Sequence, residues 1–265
     1  MTTWQPPDDP DVHGIMDEAV RDTREGRYEV ALAKFRWFHE NSRSVVGLGG
    51  VRLSFALGYW IDLAEKFPPA LDALYATRDE SINKVFEESN CFPWFHEMAS
   101  INRTLNEFDH TAEIFKRVFS SRPECAESLY HVAEPSLIKA GEFALCGQFL
   151  DPAKRIEQAS ESYRLLQDLE KRRSIEPFPV PPICRKRFVE EVTTLVTLLV
   201  LNNRHEEAQS SCSRALETFD DDEFRLSLDT AMTGHFPTIE WPGKDFLREM
   251  ESSIEKLKQK KKQEG

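Results

Sequence analysis

Residues 26–38 read Gly26-Arg27-Tyr28-Glu29-Val30-Ala31-Leu32-Ala33-Lys34-Phe35-Arg36-Trp37-Phe38, and this stretch decides the fold. Tyr28, Ala31, Leu32, Phe35 and Phe38 fall at i, i+3, i+4, i+7 and i+10, the spacing of one apolar face of an α-helix. Gly26 breaks the helix before it, since glycine enters the left-handed backbone region without steric cost. That earlier helix runs from His13 to Glu25 and turns Ile15, Met16 and Ala19 inward. Two helices around one glycine make a hairpin.

The same frame returns along the chain. After a turn at Glu65, Phe67, Ala70, Leu71, Leu74 and Thr77 take the five offsets, following a helix that carries Leu57, Gly58 and Ile61. Pro68 and Pro69 fall in the first turn of the second helix, where the amides have no intrahelical partner and proline costs little. After Asn106 the offsets are filled by Phe108, Thr111, Ala112, Phe115 and Val118, with Phe95, Met98 and Ala99 on the helix before. Weaker copies follow. Gly141 separates Tyr130, Ala133 and Leu137 from Phe143, Cys146, Leu150 and Ala153; Asn203 separates Val192, Leu195, Val196 and Leu199 from His205, Ala208, Cys212 and Ala215. In the fourth copy Gly147 stands where a large apolar residue is expected, and Asp151-Pro152 cuts the helix short.

The fold expected is all-α, a solenoid of stacked helix hairpins with a C-terminal capping helix. Its parts are an extended lead-in (1–11), four hairpins plus an extra helix (12–174, the extra helix spanning 154–173 with Ile156, Ala159, Tyr163, Leu166 and Leu169 along one side), a proline-rich strap (175–187), a fifth hairpin (188–220), a loop (221–244) and an amphipathic cap with a basic tail (245–265). Gly58 is expected to admit a neighbouring helix closely, and Gly47 to Gly50 to form a flexible loop. A small residue at Ala31, Ala70, Thr111, Cys146 and Ala208 suits the point where the helices of a hairpin cross.

The Gly-x-aromatic-x-x-Ala-Leu-x-x-Phe frame resembles the tetratricopeptide repeat, a helix–turn–helix unit of about 34 residues. The resemblance covers roughly residues 12–155 and 188–220. It implies that first helices line a concave groove that receives a partner. Carried onto this chain, the groove residues are Arg52, Phe55 and Tyr59 of the second unit, His96 and Arg103 of the third, and His131 of the fourth. Such a mixed aromatic and cationic surface suits an extended or helical peptide with acidic groups. The clamp that some members use for chaperone C-termini needs Lys and Asn on first helices; Met16 and Val20 stand there instead, so that partner is disfavoured.

Composition narrows the function further. The chain has 265 residues, 40% hydrophobic and 30% charged, with a net charge of −12. Such a balance permits a buried core and argues against nucleic-acid phosphate or anionic lipid as the main ligand. No apolar window reaches the length of a membrane span, and the N-terminal residues lack the pattern of a signal peptide. Five scattered cysteines without a Cys-x-x-Cys pair suit reduced thiols, so a cytoplasmic protein is expected. No metalloprotease, nucleophile-elbow, phosphate-loop or dinucleotide signature is present. His131 and Glu134 lie three apart on a helix, while His96 and Glu97 must diverge. The expectation is a non-catalytic interaction scaffold with no cofactor or metal. Two alternatives are a helical-repeat enzyme or small-ligand sensor near the strap, at His131, Cys184 or Trp241, and an acidic protein that neutralises a basic partner.

Overall fold

A computed structural model describes residues 4–173 and 183–239. Residues 175–182 of the strap, Trp241 and the 245–265 cap lie outside them. Among the described residues there are thirteen helices and no strand. The chain divides into two compact units, residues 1–142 and 143–265. The division falls inside the segment read as the fourth hairpin.

The first unit holds α1 (Val12–Arg24), α2 (Tyr28–Asn41), α3 (Leu48–Arg52), α4 (Phe55–Ala64), α5 (Pro68–Glu87), α6 (Phe92–Leu105), α7 (Phe108–Ser121) and α8 (Pro123–Lys139). Sequence neighbours pack as pairs: α1 with α2, α4 with α5, α6 with α7. Between pairs the first helices meet, α1 with α4, α4 with α6, and α6 with α8. The core of the first two pairs contains Ala19, Ala31, Phe35, Leu57, Trp60, Leu63, Ala70 and Leu74, all fully buried or nearly so. Phe35 stacks on Trp60 at 6.3 Å, and the Trp60 indole N–H donates to the Ala70 carbonyl at 2.9 Å. The buried tryptophan thus keeps a partner for its one polar group.

The turns follow one rule. Gly26, Asn106 and Gly141 have φ of 79°, 62° and 74°. In each case the next amide reaches back over the turn: Arg27 N–H to Asp22 O (2.9 Å), Glu107 N–H to Asn102 O (2.7 Å), Glu142 N–H to Leu137 O (2.9 Å). These bonds satisfy carbonyls that the helix end leaves open. The turn at Glu65 is built differently, with φ of −61° and Phe67 N–H bonded to Leu63 O at 2.9 Å. A glutamate pays a steric penalty in the left-handed region, and the chain stays right-handed there.

The second unit holds α9 (Phe143–Gly147), α10 (Pro152–Arg173), α11 (Ile183–Leu201), α12 (His205–Leu216) and α13 (Asp222–Met232). Helix α11 is its centre, packing on α9, α10, α12 and α13. Its turn into α12 repeats the rule, with Asn203 at φ 61° and Arg204 N–H bonded to Leu199 O at 2.9 Å. Tyr163, Phe188, Phe219 and Phe224 form an aromatic cluster with ring centres 5.2 to 6.5 Å apart.

The small residues Ala31, Ala70, Thr111, Cys146 and Ala208 are buried throughout. Other expectations are corrected. Residues 222–232, read as loop, form α13: Asp221 caps it by accepting from Phe224 N–H at 2.7 Å, and Phe224, Leu228 and Ala231 are buried. Residues 183–187, read as strap, open α11, where Cys184 N–H donates to the Glu170 carboxylate at 2.8 Å. The Gly47–Gly50 stretch is not all loop, because buried Leu48 anchors the short helix α3. Gly58 is exposed with open space around it, so no helix approaches there. Ala153 and Leu169 are exposed.

Candidate partner-binding face

Helices α4, α6 and α8 pack in succession, and five of the six expected groove residues fall on their open side. Phe55, at the start of α4, is 67% exposed. One turn on is Tyr59, half-buried, with Gly58 between them. With Leu53, Asp62, Arg103 and Thr104 these residues line a shallow groove of about 380 Å³. The Arg103 guanidinium reaches only the Leu53 carbonyl, at 3.4 Å, and has no ion pair among the described residues. A guanidinium held by one long bond keeps most of its donors for a ligand.

Towards α8 the face continues through an aromatic stack. The Phe92 ring lies 5.7 Å from both the His96 and His131 imidazoles, nearly parallel to the latter. The His96 pKa is lowered, first by burial and then by the positive charges of Arg103, His131 and Arg52. His131 and Glu134 have different surroundings. His131 is exposed on Phe92, whereas Glu134 is buried and accepts from the Tyr130 hydroxyl at 2.6 Å.

Arg52 is the correction. It is 4% exposed, and its Nη1 donates to Glu97 Oε2 at 2.6 Å. Arg52 ends α3, and from there its side chain turns into the core, where a buried carboxylate requires a cation. His96 and Glu97 diverge as expected, one towards the open face and one inward.

The inward residue organises a network that sequence reasoning missed. Glu97 takes contacts from His39 Nε2 (3.1 Å), Arg52 (2.6 Å), Arg43 (2.8 Å) and the Ser81 hydroxyl (3.1 Å). Burial alone would raise its pKa, but the hydrogen bond and charge of His39, with those of Arg52, hold it down at about 2. A carboxyl so acidic is a poor proton acceptor near neutral pH, so its role is to bind the cations around it. The available signal was its position: Glu97 lies between Phe95 and Met98 on an inward face.

In the second unit, the Cys184 thiol donates to Glu170 at 2.9 Å, and burial followed by that carboxylate pushes its pKa up to about 12. Such a thiol is unreactive as a nucleophile. Among the described residues no three His, Cys, Asp or Glu side chains gather for a metal ion, and no helix is long and apolar enough to cross a membrane. Comparison with known proteins found no matching family model, curated protein or solved structure.

Proposed function

We propose that this chain is a non-catalytic interaction scaffold of tetratricopeptide type, and that the open side of α4, α6 and α8 receives a peptide or protein segment bearing carboxylates. One observation carries the reading: Phe55 stands exposed beside Arg103, a cation with no ion pair among the described residues, in one groove. An aromatic anchor next to a free guanidinium is the combination that dominates binding energy at protein interfaces. The repeat reading is supported by the recurring left-handed turns at Gly26, Asn106, Gly141 and Asn203, by the buried small residue in each copy, and by first helices meeting first helices.

A photo-crosslinking amino acid at position 55, compared with one at Glu113 on α7, tests this in cell extract. The expected result is a discrete adduct from position 55 that weakens as salt rises and is absent with Arg103→Glu. Equal adducts from both positions, or one indifferent to Arg103, would overturn it.

A further inference from the structure

A second recess lies between α2, α5 and α6, with a volume of about 320 Å³. That is the lower end of the range for small-molecule sites. Its lining includes Trp60, Ala73 and Ala76, which form an apolar wall, and the Trp94 indole. Around this wall the charges do not balance. Arg52 and Arg43 both bind the same Glu97 oxygen, at 2.6 and 2.8 Å, so one buried carboxylate serves two guanidiniums. The Arg43 guanidinium also lies 3.9 Å from the Trp94 ring centre, and the Lys84 ammonium lies 4.2 Å from the same centre.

The other lining charges leave this surplus in place. Lys84 is held by Glu80 at 2.7 Å, but the Glu80 side chain is 65% exposed, and an exposed pair of this kind yields readily to a competing anion. Arg36 and Glu40 also line the recess, and neither has an ion pair among the described residues. They offset one another. Arg36, Arg43 and Lys84 balance Glu40, Glu80 and Glu97 around the recess, and Arg52, which shares Glu97 from behind the lining, adds one positive charge. Burial lowers the pKa of Arg43, while the attraction of Glu97 outweighs the repulsion of Arg52.

A third observation is independent of charge. His39 is 3% exposed and lines the recess. Its Nε2 lies within reach of both Glu97 and Arg52, at 3.1 and 3.0 Å, and can serve one of them at a time. Its Nδ1 is buried with no hydrogen-bond partner among the described residues. A buried ring nitrogen left in this state is costly unless something meets it.

We infer that the recess is a binding site for a small organic anion, in which a carboxylate or phosphate group meets Arg43, Lys84 and His39 while a flat apolar body lies along Trp94 and the alanines of α5. This site is separate from the α4–α6–α8 face and does not depend on the scaffold reading.

The test is a titration of the whole chain with benzoate, phenyl phosphate, benzamide and benzylamine. The readout is the Trp94 indole N–H resonance, assigned by its loss in Trp94→Phe. Saturable shifts are expected with benzoate or phenyl phosphate, the stronger of the two identifying the anion, and none with benzamide or benzylamine. Lys84→Gln should weaken the anion about tenfold, the scale of one charge-assisted hydrogen bond. Glu80→Gln, which frees Lys84, should tighten it. Because Arg43 also contacts Glu97, Arg43→Gln is read only alongside Lys84→Gln, whose side chain is at the rim. Absence of saturation with either anion, an equal response to benzylamine, or an unchanged affinity in Lys84→Gln would overturn the inference.

Discussion

Asn106 and Glu97 show how single side chains set the geometry of the first unit. Asn106 holds φ at 62° at the end of α6, a conformation that Asn and Gly tolerate and other residues resist. Asn106→Ala is expected to lower stability by about 1 kcal/mol, and Asn106→Gly to leave it nearly unchanged, as checked by urea unfolding. Glu97 is the counter-charge for Arg43 and Arg52 and also meets His39. Glu97→Gln should cost about 3–5 kcal/mol, the range for breaking a buried ion pair. The pH dependence has a definite sign. The Glu97 pKa is depressed from 4.5 to about 2 in the folded protein, so its contribution is complete above about pH 4.5 and is lost as pH falls towards 2. Wild type should therefore lose stability steeply in that window, and Glu97→Gln should not show the same loss. Arg52→Glu would set a second carboxylate against Glu97 in the core and should lower stability.

Among the helices, the departures from the repeat are the informative places. Gly147 broke the sequence pattern because a Cβ there would lie 2.2 Å from the Asn202 side-chain oxygen. The Asn202 amide donates to the Phe143 and Leu198 carbonyls at 2.9 and 2.8 Å, tying α9 to α11 in the second unit. Gly147→Ala should displace that amide and cost about 1–3 kcal/mol, measurable by thermal unfolding. Combining it with Asn202→Ala should cost less than the sum, since both lose the same bonds. The repeating helices were legible because each buries a 3.6-residue stripe. Helix α13 was not: its run of three Asp residues resembles a loop, although Asp221 is a cap and Phe224, Leu228 and Ala231 keep helical spacing. The opening of α11 was hidden for a similar reason, because the prolines before Ile183 dominate the local pattern.

For the molecule as a whole, helical spacing selected five residues that the structure leaves exposed or half-buried: Phe55, Tyr59, His96, Arg103 and His131. Arg52, selected with them, is buried, because periodicity gives the direction of a side chain only while its helix continues, and α3 ends at Arg52. The buried cations escaped notice for a related reason, since a charged residue reads as solvent-facing until its counter-charge from another helix is known. The recognition claim rests on Phe55 and Arg103 together. The decisive measurement is the Kd of the partner captured through position 55 for wild type, Phe55→Ala and Arg103→Glu, each first shown to unfold at the wild-type temperature. A loss of at least tenfold in each variant is expected, with the Arg103 effect shrinking at high salt; affinities within twofold of wild type in both would overturn the assignment of this face.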